Sequence, residues 1–167
     1  MSDIEVRDIR PDEHDRAGDI VVAAYRALTD HVVSAEYEDE LRDVTKRASG
    51  SEVLVAVRDG QVIGCVTFVP DFRSPWAEGL KEGESSIRML GVDPPSQGLG
   101  AGRLLLEACV ARAEALKSTA LCLHSTPWMQ LAQEMYRRTG FAREPERDAL
   151  PVPDVPLIAY RLDLPRT

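Results

Sequence analysis

Long apolar runs are missing from this sequence. No stretch of its 167 residues approaches the roughly 18 consecutive apolar residues that span a bilayer. The charged N-terminal segment MSDIEVRDIRPDEHD also lacks the apolar run of a secretory signal. We therefore expect a cytoplasmic protein that makes no contact with a membrane.

Cysteine is scarce as well. Cys65, Cys109 and Cys122 are odd in number, widely separated and placed inside apolar segments. This pattern favours reduced, buried thiols over a disulfide framework. No cluster of Cys, His and Asp has the spacing of metal ligands, so we expect no metal.

The sequence has fewer basic than acidic side chains. The chain has 20 Lys and Arg against 28 Asp and Glu, which gives a net charge of −8. Nucleic-acid binding needs a clustered basic face, so we expect no nucleic-acid partner. The acidic balance weakly favours polycationic ligands. It is still compatible with a local anion site, because charge is screened beyond about 8–10 Å.

The periodicity of apolar residues predicts one α/β domain over residues 1–167. Two β-branched runs flank Asp59 and Gly60, a dipeptide that suits a tight hairpin turn. Helical periodicity recurs in four segments, at residues 11–28, 37–48, 100–118 and 128–138. The order of elements is β-α-α-β-β-β-α-β-α-β-β. It predicts a mixed, mostly antiparallel sheet of six to seven strands, flanked by about four helices on its two faces.

A glycine-rich segment, VDPPSQGLGAG, separates a strand pattern from a helix pattern at residues 92–102. A dinucleotide fingerprint would need a third glycine where Arg103 stands, and the Walker A loop needs a Gly-Lys pair that the sequence lacks. The free amides and positive dipole end of a following helix could instead bind a diphosphate through the main chain. A purely structural turn is the alternative, and spacing alone leaves both open.

Two motifs in the chain resemble those of the GNAT N-acetyltransferase family. The segment LGVDPPSQGLGAG is similar to the family pattern L-x-V-x-P-x-x-[QR]-x-x-G-x-[GA]. The segment AQEMYRRTGF, at residues 132–141, is similar to A-x-x-x-Y-x-x-x-G-F. The resemblance covers nearly the whole chain and implies an acyl-CoA N-acyltransferase-like fold with acetyl-CoA as the donor co-substrate. The fixed positions of the first pattern are filled by Leu90, Val92, Pro94, Gln97, Gly100 and Gly102.

The resemblance also implies where acetyl-CoA binds. The strand that ends at Val92 would splay from its neighbour and pair its backbone with the pantetheine arm, while the diphosphate would lie on the amides of residues 97–103. Met129 stands where relatives often have asparagine, and it would fill space beside the pantetheine. The residues assigned to the coenzyme are Leu90, Gly91, Val92, Gln97, Gly98, Leu99, Gly100, Ala101, Gly102, Arg103, Met129 and Ala132.

Acetylation of an amine requires a base for the amine, a donor to the thioester oxygen and an acid for the leaving thiolate. By the resemblance, Tyr136 is the acid, with a core tyrosine as the alternative, and the oxygen donor is the backbone N–H of Val92. Relatives often carry a glutamate at the position of Ser86. Glu84 lies two residues earlier on the same strand face, so it could act as the base through a water. A solvated carboxylate with no dedicated base is the alternative.

The sequence gives fewer signals for the site that binds the acceptor amine. We expect the segment at residues 71–85 and the first helix to border the acceptor pocket. His124 is interpreted as a structural histidine rather than a base, and His31 falls near the expected acceptor pocket. The residues predicted to bind the acceptor are Tyr25, Phe68, Arg73, Trp76 and Ser86.

Together these features predict an N-acetyltransferase that moves an acetyl group directly from acetyl-CoA to a primary amine of a small molecule or peptide. A non-catalytic acyl-CoA-binding module of the same fold is the alternative. A homodimer formed through the last strands is a further expectation from the resemblance.

Overall fold

The computed structural model describes residues 3–27, 34–152 and 155–165. The strands within these residues are β1 (Glu5–Asp8), β2 (Glu52–Arg58), β3 (Gln61–Val69), β4 (Glu84–Val92), β5 (Ala120–Ser125), β6 (Ala142–Arg143), β7 (Ala149–Val152) and β8 (Val155–Asp163). The α-helices are α1 (His14–Ala27), α2 (Ala35–Arg42), α3 (Val44–Ala48), α4 (Ala101–Ala115) and α5 (Gln130–Thr139). The last residue of the first predicted helix, at position 28, and His31 lie outside the described residues.

One mixed sheet organises the chain. Its strand order is β1-β2-β3-β4-β5-β8-β6, and β7 pairs with β8. Every pairing is antiparallel except that of β4 with β5. The predicted mixed, mostly antiparallel sheet is confirmed. It has eight strands because the short segment at residues 149–152 adds β7 to β8.

Helices cover both faces of the sheet. On one face, α4 and α5 pack their apolar residues, such as Leu105 and Tyr136, against Leu54 and Phe68 of the strands. On the other face, α1, α2 and α3 pack against alternate strand residues such as Val55. The hairpin predicted at Asp59 and Gly60 joins β2 to β3, and both residues have positive φ angles of 52° and 76°.

The second predicted helix, over residues 37–48, is two helices in the structure. Asp43 leaves the helical region with φ −83° and ψ 69°, and its side chain accepts a hydrogen bond from the Lys46 amide at 3.0 Å. An aspartate that caps a new helix competes with continuation of the old one. Arg47 then links α3 to α2, because its guanidinium donates to the Leu41 carbonyl at 2.9 Å.

The parallel strands β4 and β5 separate part of the way along their length. Their register runs from Glu84 opposite Ala120 to Ser86 opposite Cys122. Beyond Ser86, β4 stays paired with β3 through a bulge at which Met89 has a φ of 53°. A bulge bends its strand, so a cleft opens between β4 and β5.

No helix in the described part of the chain is both long enough and apolar enough to cross a membrane.

Candidate active site

The cleft between β4 and β5 contains a cavity of about 320 Å³, which we name the loop cavity. Its walls are the end of β4, the glycine-rich segment, the first turn of α4 and one side of α5. The Asp93 amide donates to the Ile63 carbonyl of β3 at 2.8 Å. Because amides alternate in an antiparallel ladder, the amide of Val92 is turned away from β3 toward the cleft.

The glycine-rich segment ends directly at a helix start. Gly98 and Gly100 have φ angles of 86° and 93°, a region that only glycine enters at little cost. Gly100 is the N-cap of α4, so the amides of the following three residues have no partner within the helix. The Gln97 side chain donates to the Val92 carbonyl at 3.2 Å and links the segment to β4. This is the geometry of a main-chain anion site.

Most of the residues predicted to bind the coenzyme surround the loop cavity. Leu99 does not line it and is 44% exposed to solvent. Gly91 has a packing role, because a Cβ there would lie 3.3 Å from the Ala24 Cβ and the Val21 Cα of α1. The predicted residues that line the cavity are Leu90, Gly91, Val92, Gln97, Gly98, Gly100, Ala101, Gly102, Arg103, Met129 and Ala132.

The sequence missed several apolar lining residues. Met135 precedes Tyr136 on α5, and Leu123 and Ile87 belong to the two separating strands. Helical spacing from Ala132 could have identified Met135, which lies three residues later. The strand residues gave no such signal, because their exposure to the cavity depends on the separation of β4 from β5.

Tyr136 lies in the wall of the loop cavity and is 6% exposed. Its ring packs against Phe141 and Tyr160, with centroids 5.8 Å and 6.0 Å away. Its hydroxyl makes no hydrogen bond to any described residue. Burial raises the pKa of Tyr136 above its ordinary value, so the phenol keeps its proton near neutral pH. An unpaired, protonated phenol at the cavity wall can donate a proton.

A second cavity of about 400 Å³ adjoins the first, and we name it the aromatic cavity. Tyr25, Tyr37 and Trp76 line it. Of the residues predicted to bind an acceptor, the structure brings Tyr25, Trp76 and Ser86 together here. Among the described residues, seven line both cavities, namely Tyr25, Ile87, Arg88, Met89, Leu123, His124 and Met129.

Two predicted acceptor residues are elsewhere, so those predictions are wrong. Phe68 is fully buried in the core on the α4 and α5 side of the sheet. Arg73 has a side chain 78% exposed, pairs with Asp71 at 3.2 Å and lines neither cavity.

The prediction that Glu84 is a general base is also wrong. Its side chain is 4% exposed, and Arg147 donates to both carboxylate oxygens at 2.6 and 3.0 Å. Arg161 forms a second ion pair with the same carboxylate. Burial alone would raise the pKa of Glu84, but the hydrogen bonds from Arg147, the Lys81 amide and Arg161 lower it to about 2. A carboxylate held this way does not accept a proton at neutral pH.

His124 differs from the structural histidine predicted from the sequence. It is exposed, it lines both cavities, and its Nε2 lies 2.9 Å from the Arg147 carbonyl oxygen. A carbonyl can only accept, so Nε2 carries a proton in this contact. Nδ1 makes no hydrogen bond to the described residues and is the free acceptor nitrogen of the neutral ring.

Cys122 also lines the aromatic cavity, but as an unreactive thiol. Burial raises the pKa of Cys122 to about 11. The nucleophile in thiol chemistry is the thiolate, so Cys122 is unsuited to form an acyl intermediate.

The separated parallel strands, with a glycine-rich anion site at the start of α4, define an acyl-CoA N-acyltransferase-like fold. Residues 15–141 match the acetyltransferase (GNAT) family. The chain therefore belongs to the GNAT family of acetyltransferases.

A curated relative is the mycothiol acetyltransferase of Cellulomonas flavigena. It is 41% identical over 93 residues, which cover 54% of this chain and 26% of the relative. This chain thus matches only about a quarter of that protein's length.

Solved structures share the fold. An acetyltransferase of the GNAT family from Staphylococcus aureus superposes with a TM-score of 0.75 at 15% identity, covering 98% of this chain and 100% of its own. YncA from Salmonella typhimurium, solved with acetyl-CoA, has a TM-score of 0.69 at 19% identity and coverages of 99% and 96%. The PaiA N-acetyltransferase from Thermoplasma acidophilum, solved with coenzyme A, has a TM-score of 0.73 at 13% identity and coverages of 97% and 99%.

Proposed function

We propose that this protein is an acetyl-CoA-dependent N-acetyltransferase that transfers the acetyl group directly to a primary amine. The observation that carries the proposal is the junction of two cavities at the point where β4 and β5 separate. One cavity ends in a main-chain anion site, and the other has an aromatic wall. A donor and an acceptor that enter from the two sides would meet at the shared lining residues.

The loop cavity suits coenzyme A as donor. The amides at the start of α4 would bind the diphosphate, and the cleft-facing backbone of β4 would pair with the pantetheine arm. No carboxylate side chain of the described residues lines this cavity, so no negative charge opposes the diphosphate. Support also comes from the two structural neighbours that were solved with acetyl-CoA and with coenzyme A.

Three groups would carry the transfer. The amine nitrogen attacks the thioester carbon, and its proton passes to Nδ1 of His124. The Val92 amide donates to the carbonyl oxygen as charge develops there. The C–N bond forms, the C–S bond breaks, and the departing thiolate takes the proton of Tyr136.

The proposal is tested by thiol release. Purified protein and acetyl-CoA are mixed with a panel of small amines, amino acids and peptides, and free coenzyme A is titrated with a thiol reagent. We expect amine-dependent thiol release and an acetylated product that mass spectrometry identifies as the amide. Acetyl-CoA binding by calorimetry without thiol release for any amine would instead indicate a non-catalytic acyl-CoA-binding module.

A further inference from the structure

Two arginines line the aromatic cavity of a protein whose net charge is −8. The ionic side chains among the described lining residues are Arg88, Arg147 and Glu78, apart from His124. Glu78 has a side chain 83% exposed to solvent, so water screens its charge. Arg147 is paired with Glu84 and Glu144, so Arg88 is the cation among these residues that is open to an anionic ligand.

The two arginines differ in how much of their hydrogen-bonding capacity is used. Arg147 is committed to Glu84, to the Gly79 carbonyl at 3.2 Å and to Glu144 at 3.3 Å. Arg88 uses only Nη1, which donates to the Trp76 carbonyl at 3.2 Å and lies 3.6 Å from Glu78. Nε and Nη2 of Arg88 make no hydrogen bond to any described residue.

The guanidinium of Arg88 is held in place. Its Cζ lies 5.5 Å from the centroid of the Trp76 ring, a cation–π distance. Its side chain is 23% exposed. The free Nε and Nη2 groups form one edge of a rigid planar fork that matches the two oxygens of a carboxylate.

A buried cation lies close to the strand that carries Arg88. Arg47 is fully buried, and it donates to the hydroxyl of Thr67, the residue opposite Arg88 across β3 and β4, at 3.2 Å. It forms no ion pair with any carboxylate of the described residues. A buried charge without a counterion raises the local potential, which favours an anion at the free edge of Arg88.

We propose that the acceptor is a primary amine that also carries a carboxylate, and that Arg88 binds the carboxylate. This inference rests on the proposed function, since it names the acceptor of the same reaction. One free guanidinium edge suits a carboxylate better than a phosphate, because the described residues of the aromatic cavity supply neither a helix start nor a second free cation. Tyr25, Tyr37 and Trp76 provide apolar surface for the rest of the molecule. The net charge of the protein weakly favours polycationic ligands, whereas the acceptor proposed here carries a carboxylate.

The test uses matched pairs of amines with and without a carboxylate. L-Phenylalanine is compared with 2-phenylethylamine, and β-alanine with ethanolamine phosphate, in the thiol-release assay. We expect kcat/KM to be at least tenfold higher for phenylalanine than for its decarboxylated partner, and higher for β-alanine than for the phosphate. Equal values within the first pair, or preference for the phosphate, would overturn the inference while leaving the proposed function intact.

Arg88→Gln and Arg88→Lys test the residue. A hydrogen-bonded charge pair contributes enough that Arg88→Gln should lower the phenylalanine to phenylethylamine ratio of kcat/KM by about tenfold to a hundredfold, mainly through KM. Arg88→Lys should keep more of this ratio than Arg88→Gln but less than the wild type, because an ammonium lacks the planar fork. Arg42→Gln is the matched control, because Arg42 is an exposed arginine of α2 that pairs with Asp19 and lines neither cavity.

A binding measurement separates the two proposals. Phenylalanine and phenylethylamine are titrated by calorimetry into the protein saturated with coenzyme A. Tighter binding of phenylalanine that is lost in Arg88→Gln supports the carboxylate site, even if no amine releases thiol and the proposed function fails. Equal binding of the two ligands, or binding unaffected by Arg88→Gln, contradicts it.

Discussion

Glu84 and Arg147 are joined by two hydrogen bonds, of 2.6 and 3.0 Å, beside the aromatic cavity. Arg161 shares the same carboxylate from β8. The three side chains connect the start of β4, the turn after β6 and strand β8. They also fix the main chain of Arg147, whose carbonyl holds the His124 ring. The ion cluster therefore positions a cavity residue without taking part in proton transfer.

We expect Glu84→Gln to destabilise the fold by about 3 kcal/mol at pH 7, because it removes the buried carboxylate that Arg147 and Arg161 share. The folded-state pKa of Glu84 is about 2, below the ordinary 4.5. The stabilisation is thus fully present above about pH 4.5 and is lost as the pH falls toward 2. Urea unfolding of both proteins at pH 7, 5 and 3 should show their difference shrinking by about half at pH 3.

The control for this experiment is Glu134→Gln, which removes an exposed partner of Arg138 on α5. It should change the free energy of unfolding by no more than about 0.5 kcal/mol at any of these pH values. A Glu84→Gln effect that is equally large at pH 3 and pH 7 would contradict the assigned pKa.

Gly100→Val should weaken acetyl-CoA binding at least tenfold in calorimetry and leave the fold intact. The physical reason is backbone shape, since Gly100 has a φ of 93° and no heavy atom closer than 3.7 Å to an added Cβ. A branched residue would move the amides of the anion site out of position. Gly60→Val is the matched control, because Gly60 has a φ of 76° in the distant β2–β3 turn. Gly60→Val should lose as much stability as Gly100→Val and keep its affinity for acetyl-CoA. An equal loss of affinity in both variants would contradict the assignment of the glycine-rich segment to the proposed donor site.

Local features of the sequence predicted the parts of the structure that local chemistry decides. The hairpin turn follows from Asp59 and Gly60 between two β-branched runs, and the anion geometry depends on glycines directly before α4. The position of Tyr136 on the helix after β5 followed from a short motif. In each case the residues that determine the feature are adjacent in sequence.

The failed predictions depend on contacts between distant segments. Phe68 belongs to β3, which is buried on both faces from Val62 to Val69, so no alternation of polar residues reveals which face it occupies. The sequence allows Glu84 to be a base or a solvated carboxylate, because the arginines that bind it lie 63 and 77 residues later in the chain. The sequence did not identify Arg88 for a similar reason. The position of its guanidinium depends on Trp76, which lies in a distant loop, and on the bulge at Met89.

Tyr136→Phe should lower kcat at least tenfold, because the thiolate then leaves without a proton donor. The change should leave the melting temperature and the acetyl-CoA dissociation constant nearly unchanged. The ring keeps its contacts with Phe141 and Tyr160, and the lost hydroxyl has no hydrogen-bond partner among the described residues. These two measurements serve as internal controls in the same preparation. Retention of more than half of the wild-type kcat would exclude Tyr136 as the acid.

His124→Gln tests the proposed base. In the proposed transfer the free Nδ1 accepts the proton of the amine, and glutamine offers no basic nitrogen in its place. The variant should therefore be about a hundredfold slower than the wild type at neutral pH, measured as kcat/KM in the thiol-release assay.

The control for the base is His14→Gln, since His14 bonds to Thr45 at 2.8 Å on α1 and lines neither cavity. It should keep the wild-type kcat/KM. If the amine instead arrives already deprotonated from solution, His124→Gln will also keep the wild-type rate, and that result would exclude His124 as the base.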